Sequence, residues 1–344
     1  MKTFDCRIAN LKAIMTWGIV FLHSGAAFNY VVYERTTGVV IYEKISSVLW
    51  GSLGAFFLIS GYFLRQYTTP DDYKILMRQK VKSLLFPFLI WNVLYLAAYL
   101  IGAKFSPATA QRCEAMGLDS VWGITNSLFG ITANPADGPM WYIRNLILYT
   151  GLQFFWHWGV RKFSIFFTIG LLVTYCFIYK YMPYALGRWL IPYGVIAFSL
   201  GYYLNYKKHS LFLLARYPLV SLVLLVVYLQ IDRLKCLDFL QKNNLMPLLI
   251  IPFWITAAKF LTYPKESWLY KVFTASAFYV YAMHAFVCTA VLRLGVKYIP
   301  VNSWSWCNAV LLFFVGGGIL IMASYFFMKL VLPKVLAFLN GGRC

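Results

Sequence analysis

"SLLFPFLIWNVLYLAAYLIG", residues 83–102, runs for twenty residues without a charged side chain. As an α-helix it rises about 30 Å, the thickness of a bilayer's hydrocarbon core. Blocks of the same kind recur to either side of it, at roughly 9–32, 42–64, 139–158, 163–182, 189–206, 210–231, 245–262, 268–292 and 304–330. A membrane β-barrel instead shows alternating segments of about ten residues, a pattern not seen here. The sequence therefore predicts an all-α polytopic membrane protein of about ten transmembrane helices. Composition agrees: 61% of residues are hydrophobic, 12% are charged and the mean hydropathy is +0.67.

The formal net charge of +20 has a membrane explanation. Short cytoplasmic connections collect Lys and Arg, which also meet anionic lipid. No nucleic-acid motif with interleaved aromatics stands out. With the N-terminus inside, most of the 31 basic residues fall on the inner side, so both termini are expected to be cytoplasmic. The first apolar run has no small-residue cleavage site after it and reads as a retained span. The chain reads as a single transmembrane domain over 1–344, with a basic cytoplasmic loop at 65–82 and an extracytoplasmic loop at 103–138. In the first loop Asp71 and Asp72 are placed to open a short helix leading into the third span. In the second, "SVWGITNSLFGI", residues 120–131, reads as an interfacial or re-entrant piece. Seven cysteines lack metal-type pair spacing, and no metal site is expected. One bridge, between Cys113 and Cys236, stays open because both fall in loops placed outside.

All 11 carboxylates lie in loops or at span ends, whereas ion-coupled carriers usually hold one near the bilayer midplane. The spans hold imidazole and guanidinium instead. Lys12 and His23 are eleven positions apart, which is three turns plus roughly 20°, so they share one helix face about 16 Å apart. His284 follows Lys271 by thirteen residues, about 20 Å along its helix, at a depth similar to that of His23. The two histidines are thus expected to be able to meet. Arg144 approaches from the outer side, where its charge calls for a water-filled or anionic-ligand cavity. Each residue also has a plainer reading: an intramembrane histidine serves as an interhelical hydrogen-bond partner, Ser60 and Gly61 allow ordinary helix packing, and Arg78, Lys80 and Lys82 anchor in lipid headgroups.

Five segments taken in order resemble the transmembrane acyltransferase-3 family. They are "KAIMTWGIVFLH" at 12–23, a basic residue and a His separated by ten residues; "FFLISGYFL" at 56–64; "RQKVKSLLFPFLIW" at 78–91; "MWYIRNL" at 140–146; and "SAFYVYAMH" at 276–284. Lys12 stands where the family usually has Arg, keeping the charge but losing the bidentate fork. The resemblance is to the stand-alone form, and it implies an enzyme of the bacterial cytoplasmic (inner) membrane. Such an enzyme moves an acetyl or other short acyl group from cytoplasmic acyl-CoA to a hydroxyl of a glycan or lipid-linked sugar, with no permanently bound cofactor. It implies His23 as general base or transiently acylated nucleophile, with Lys12 and Arg144 completing the catalytic set. Ser60, Gly61, Tyr62, Arg78, Lys80 and Lys82 would meet acyl-CoA, and Trp141, Tyr142, Tyr281 and His284 the acceptor. The opposing class is a polysaccharide or lipid-linked sugar exporter with a basic cavity. It shares the spans and the charge but leaves the Lys12–His23 spacing and "FFLISGY" without a purpose.

Overall fold

The computed structural model describes residues 5–26, 37–66, 69–230, 238–298 and 311–342. Among these residues the chain is helical, with no strand. The helices are α1 (Cys6–Ala26), α2 (Thr37–Tyr62), α3 (Pro70–Lys80), α4 (Phe86–Ala103), α5 (Pro107–Ala115), α6 (Val121–Phe129), α7 (Trp141–Gly151), α8 (Gln153–Phe163) and α9 (Ile165–Ile178). They continue with α10 (Tyr184–Trp189), α11 (Pro192–Tyr206), α12 (Pro218–Leu229), α13 (Asp238–Lys242), α14 (Ile251–Ala258), α15 (Trp268–Tyr298), α16 (Gly317–Val331) and α17 (Pro333–Leu339).

Four helical stretches among the described residues are long and apolar enough to cross a membrane: Val40–Tyr62, Pro70–Ala103, Tyr270–Val291 and Phe313–Val331. A fifth is added if the bent pair Gln153–Phe163 and Ile165–Tyr181 counts as one span. Other segments expected to span are helical in shorter pieces. α11, α12 and α14 each have a proline in their first two positions, where it starts a helix without losing a needed hydrogen bond. The expected span over 139–158 is divided at Leu152 into α7 and α8. α8 and α9 then meet at 112° around Ser164, whose φ is +56°. Parts of the expected first and last spans, and Cys236, lie outside the described residues.

The opening stretch behaves as its composition requires, with one adjustment. Thr69 caps α3 by accepting from the Asp72 backbone N–H, while the Asp72 carboxylate accepts from the Thr69 N–H. α3 then runs into α4 through one turn of π geometry at Val81–Leu85. Pro87 explains that turn, since its ring would collide with the carbonyl one regular turn earlier and the wider turn makes room. In the 103–138 connection, "SVWGITNSLFGI" forms α6, which packs on α4 while Val121 and Trp122 stay exposed.

α2 is the central post. It packs along α11 at backbone distance, because a Cβ on Gly61 would lie 2.1 Å from the Phe198 carbonyl oxygen and one on Gly201 would lie 2.0 Å from that of Leu58. Phe57 of α2 is fully buried beneath the rings of Tyr142, Tyr149 and Tyr193. α1 packs against both α2 and α15, and α15 against α16. α1, α2, α7 and α15 thereby come to surround one interior space.

Candidate active site

Three helices line that space with stripes at helical spacing. α1 contributes Ala9, Lys12, Thr16 and Ile19; α2 contributes Leu53, Phe56 and Ser60; α15 contributes Lys271, Thr274, Phe278 and Tyr281. Tyr142, Ile143 and Leu146 of α7 close the fourth side. The cavity holds about 720 Å³. Lys12 and Lys271 sit toward the N-terminal ends of α1 and α15, so they mark one end, and Tyr142 and Tyr281 mark the other. The Lys12 ammonium lies 5.5 Å above the Phe63 ring, and Lys271 is exposed.

Past the two tyrosines lies a second void of only about 20 Å³, lined by Ile19, Leu22, His23, Trp50, Leu53, Pro139, Trp141, Tyr142 and Tyr281. Ile19, Leu53, Tyr142 and Tyr281 line both spaces and form a collar between them. Hydrogen bonds hold the collar tyrosines. The Tyr142 hydroxyl is 2.9 Å from Ser60 Oγ and 3.4 Å from the Phe56 carbonyl oxygen, and the Tyr281 hydroxyl donates to the Pro139 carbonyl.

His23 meets His284, as the depth argument expects, with ring centroids 4.8 Å apart. His284 is fully buried, and its Nδ1 lies 2.6 Å from the Tyr281 carbonyl oxygen. A carbonyl only accepts, so Nδ1 carries the hydrogen and Nε2 presents a lone pair. That Nε2 has no hydrogen-bond partner among the described residues. The site therefore pairs a fixed, proton-accepting nitrogen with the half-buried ring of His23.

The other residues singled out from the sequence divide by location. Ser60 touches the cavity, Tyr142 and Tyr281 touch both spaces and Trp141 touches the His23 void. Gly61 faces α11, and Tyr62 is buried with its hydroxyl donating to the His209 carbonyl at 3.1 Å. Arg78 and Lys82 are exposed and Lys80 half-buried on the α3–α4 run, and none of the three lines the cavity. Arg144 lines neither space. Its buried guanidinium donates to the carbonyls of Gly130, Ala133 and Arg188 and to Asn145 Oδ1, and it stacks over Trp189 at 4.6 Å. These bonds satisfy the buried charge without a ligand and tie the turn after α6 to the end of α10.

Two residues gain weight from the structure. Lys271, which marks the depth of His284 in the sequence, also lines the cavity, and its register with Thr274, Phe278 and Tyr281 gives a clean i, i+3, i+7, i+10 stripe. Asp137, in the connection ahead of α7, is fully buried; its N–H donates to Asn92 Oδ1 at 2.9 Å, and neither carboxyl oxygen has a partner among the described residues. Burial pushes its carboxyl well above the usual carboxylate range. Nothing in the loop sequence signals that this acid folds inward.

A family model for an acyltransferase domain, that of acyltransferase-3, matches residues 7–329 of the 344-residue chain. The chain belongs to the acyltransferase-3 family. It is thus a membrane acyltransferase. Searches of curated proteins and of solved structures returned no significant match. The match spans the N-terminal part of α1 through most of α16, so all four helices around the cavity belong to the acyltransferase domain.

Proposed function

We propose that this acyltransferase moves an acetyl group, or another short acyl group, from cytoplasmic acyl-CoA to a sugar hydroxyl of an exported or surface glycan in the bacterial inner membrane. The reading takes both termini as cytoplasmic and the shorter helices as completing about ten spans. One observation carries it: a cavity that starts between two lysines ends at a collar immediately beneath a histidine pair.

In this reading Lys12 and Lys271 attract the phosphates of CoA, helped by the positive N-terminal ends of α1 and α15, and the apolar walls receive the pantetheine arm past Ser60. Arg78, Lys80 and Lys82 provide a basic approach on the same side. His23 takes the proton of the acceptor hydroxyl as its oxygen bonds to the acyl carbon. The carbon–sulfur bond breaks, and the proton passes to the sulfur so that CoA leaves as the thiol. His284, its Nδ1 already committed to the Tyr281 carbonyl, packs its ring against that of His23 and so limits how His23 can turn. Trp141 and Tyr142 supply aromatic faces for a sugar ring. Arg144 frames the outer end of the site by holding the loop ahead of α7.

The test is transfer of labelled acetyl from acetyl-CoA by membranes carrying His23→Ala. A lost general base costs about 10²–10⁴ in rate. Loss on that scale, with protein level and insertion unchanged, is the expected result. Transfer at the unsubstituted rate removes His23 from the chemistry.

A further inference from the structure

The geometry points to the collar of Ile19, Leu53, Tyr142 and Tyr281 as an acyl-length ruler that restricts the donor to acetyl. The inference rests on the acyl-CoA reading above and narrows it. A thioester rising from the large cavity reaches His23 only by passing its acyl end through the collar, because these four residues are the wall common to both spaces. Beyond them about 20 Å³ is free, and a single group of water size needs roughly 10–15 Å³. A methyl group fits there, and Trp50, Pro139 and Trp141 line the space into which a longer chain would have to extend.

The collar is built to hold its size. Ile19 and Leu53 are each 6% exposed. Tyr142 is tied to Ser60 and the Phe56 carbonyl, and Tyr281 to the Pro139 carbonyl, so widening the passage breaks partly buried and buried hydrogen bonds. The large cavity, by contrast, has ample room for a longer chain, so discrimination falls at the narrow step beside the reacting carbon. There it acts on the transition state and is read in kcat/KM.

The test compares initial rates of CoA-thiol release from acetyl-, propionyl- and butyryl-CoA by the protein in native membranes, with membranes lacking the protein as the blank. The unsubstituted protein should lose roughly 10-fold or more in kcat/KM per added methylene. Leu53→Ala, which trims the collar, should raise the propionyl-to-acetyl ratio by about 10-fold, and Leu53→Val should move it less in the same direction. Taking the ratio within each variant cancels differences in folded yield. Equal use of acetyl- and butyryl-CoA by the unsubstituted protein overturns the ruler even if every variant fails to fold. So does a Leu53→Ala protein that still releases thiol from acetyl-CoA with an unchanged ratio. No release above the blank from any of the three donors refutes the acyl-CoA reading itself, and the ruler with it.

Discussion

Asp137 sits where ionisation is costly. Its backbone N–H is satisfied by Asn92, yet its carboxyl is fully buried without a partner among the described residues, so the neutral form is favoured. With its folded pKa raised above the unfolded value near 4, the folded state holds the proton more tightly. This contribution to stability is complete below the unfolded pKa and is lost as pH climbs through the folded value. Asp137→Asn keeps the shape and removes the titration. In detergent, thermal midpoints between pH 5 and pH 9 should fall with pH for the unsubstituted protein and less for the variant, the gap widening toward pH 9. Parallel curves would show that this acid is already paired. The same residue marks a limit of sequence reading. "ANPADGPMW", residues 133–141, reads as a loop, and it is one, but only the tertiary placement of Asn92 and Tyr281 around it shows that the acid is buried. His23 and Lys12 were legible because their signal is local, eleven positions on a regular helix. Arg144 was legible as an expensive buried charge, but not as one already matched by carbonyls contributed from two distant segments.

Helices were legible where hydrophobic length alone defines them, as in α2 and the α3–α4 run. They were not legible where the break is conformational. Leu152 divides an apolar run that hydropathy cannot distinguish from a continuous span, and although a break near Arg161 and Lys162 is legible, the 112° bend there depends on one positive φ, at Ser164. The contact between α2 and α11 lies between these cases: "SGY" signals small-residue packing, but its partner Gly201, 140 positions away, emerges only in three dimensions. Both glycines face backbone oxygens, which have no rotamer with which to retreat. Gly61→Ala and Gly201→Ala should each destabilise by about 1–3 kcal/mol or more, through forced separation of the two helices. Gly170 of α9, with nothing within 4 Å of an added Cβ, is the matched control. Gly170→Ala should be neutral or slightly stabilising, since alanine is the better helix former. Thermal melting of the three variants in one detergent decides it: equal effects at all three positions would mean that helix propensity, and not the α2–α11 approach, governs the response.

On the scale of the whole molecule, the question is which part of a +20 chain meets the anionic donor. Two basic groups compete. Arg78, Lys80 and Lys82 sit on the α3–α4 run outside the cavity, whereas Lys12 and Lys271 line it. α1 and α15 both carry their lysine toward the N-terminal end and their histidine deeper, so they run side by side in the same direction as paired rails from charge to chemistry. A charge-assisted hydrogen bond to phosphate contributes about 1.5–3 kcal/mol when desolvated and less at an exposed mouth. Lys271→Ala and Lys12→Ala should therefore each raise the KM for acetyl-CoA by roughly 5- to 10-fold with little change in kcat. Lys12→Arg, which preserves the charge, should stay near the unsubstituted value. Arg78→Ala and Lys82→Ala act only through the surrounding potential, so their smaller effect on KM should fade as salt rises from 50 to 500 mM, where the screening length falls below about 5 Å. Steady-state kinetics of the four alanine variants at those two salt concentrations separates the groups. Should Arg78→Ala and Lys82→Ala raise KM at high salt while Lys271→Ala does not, the donor enters along the α3–α4 face and the rails lose their role in binding it.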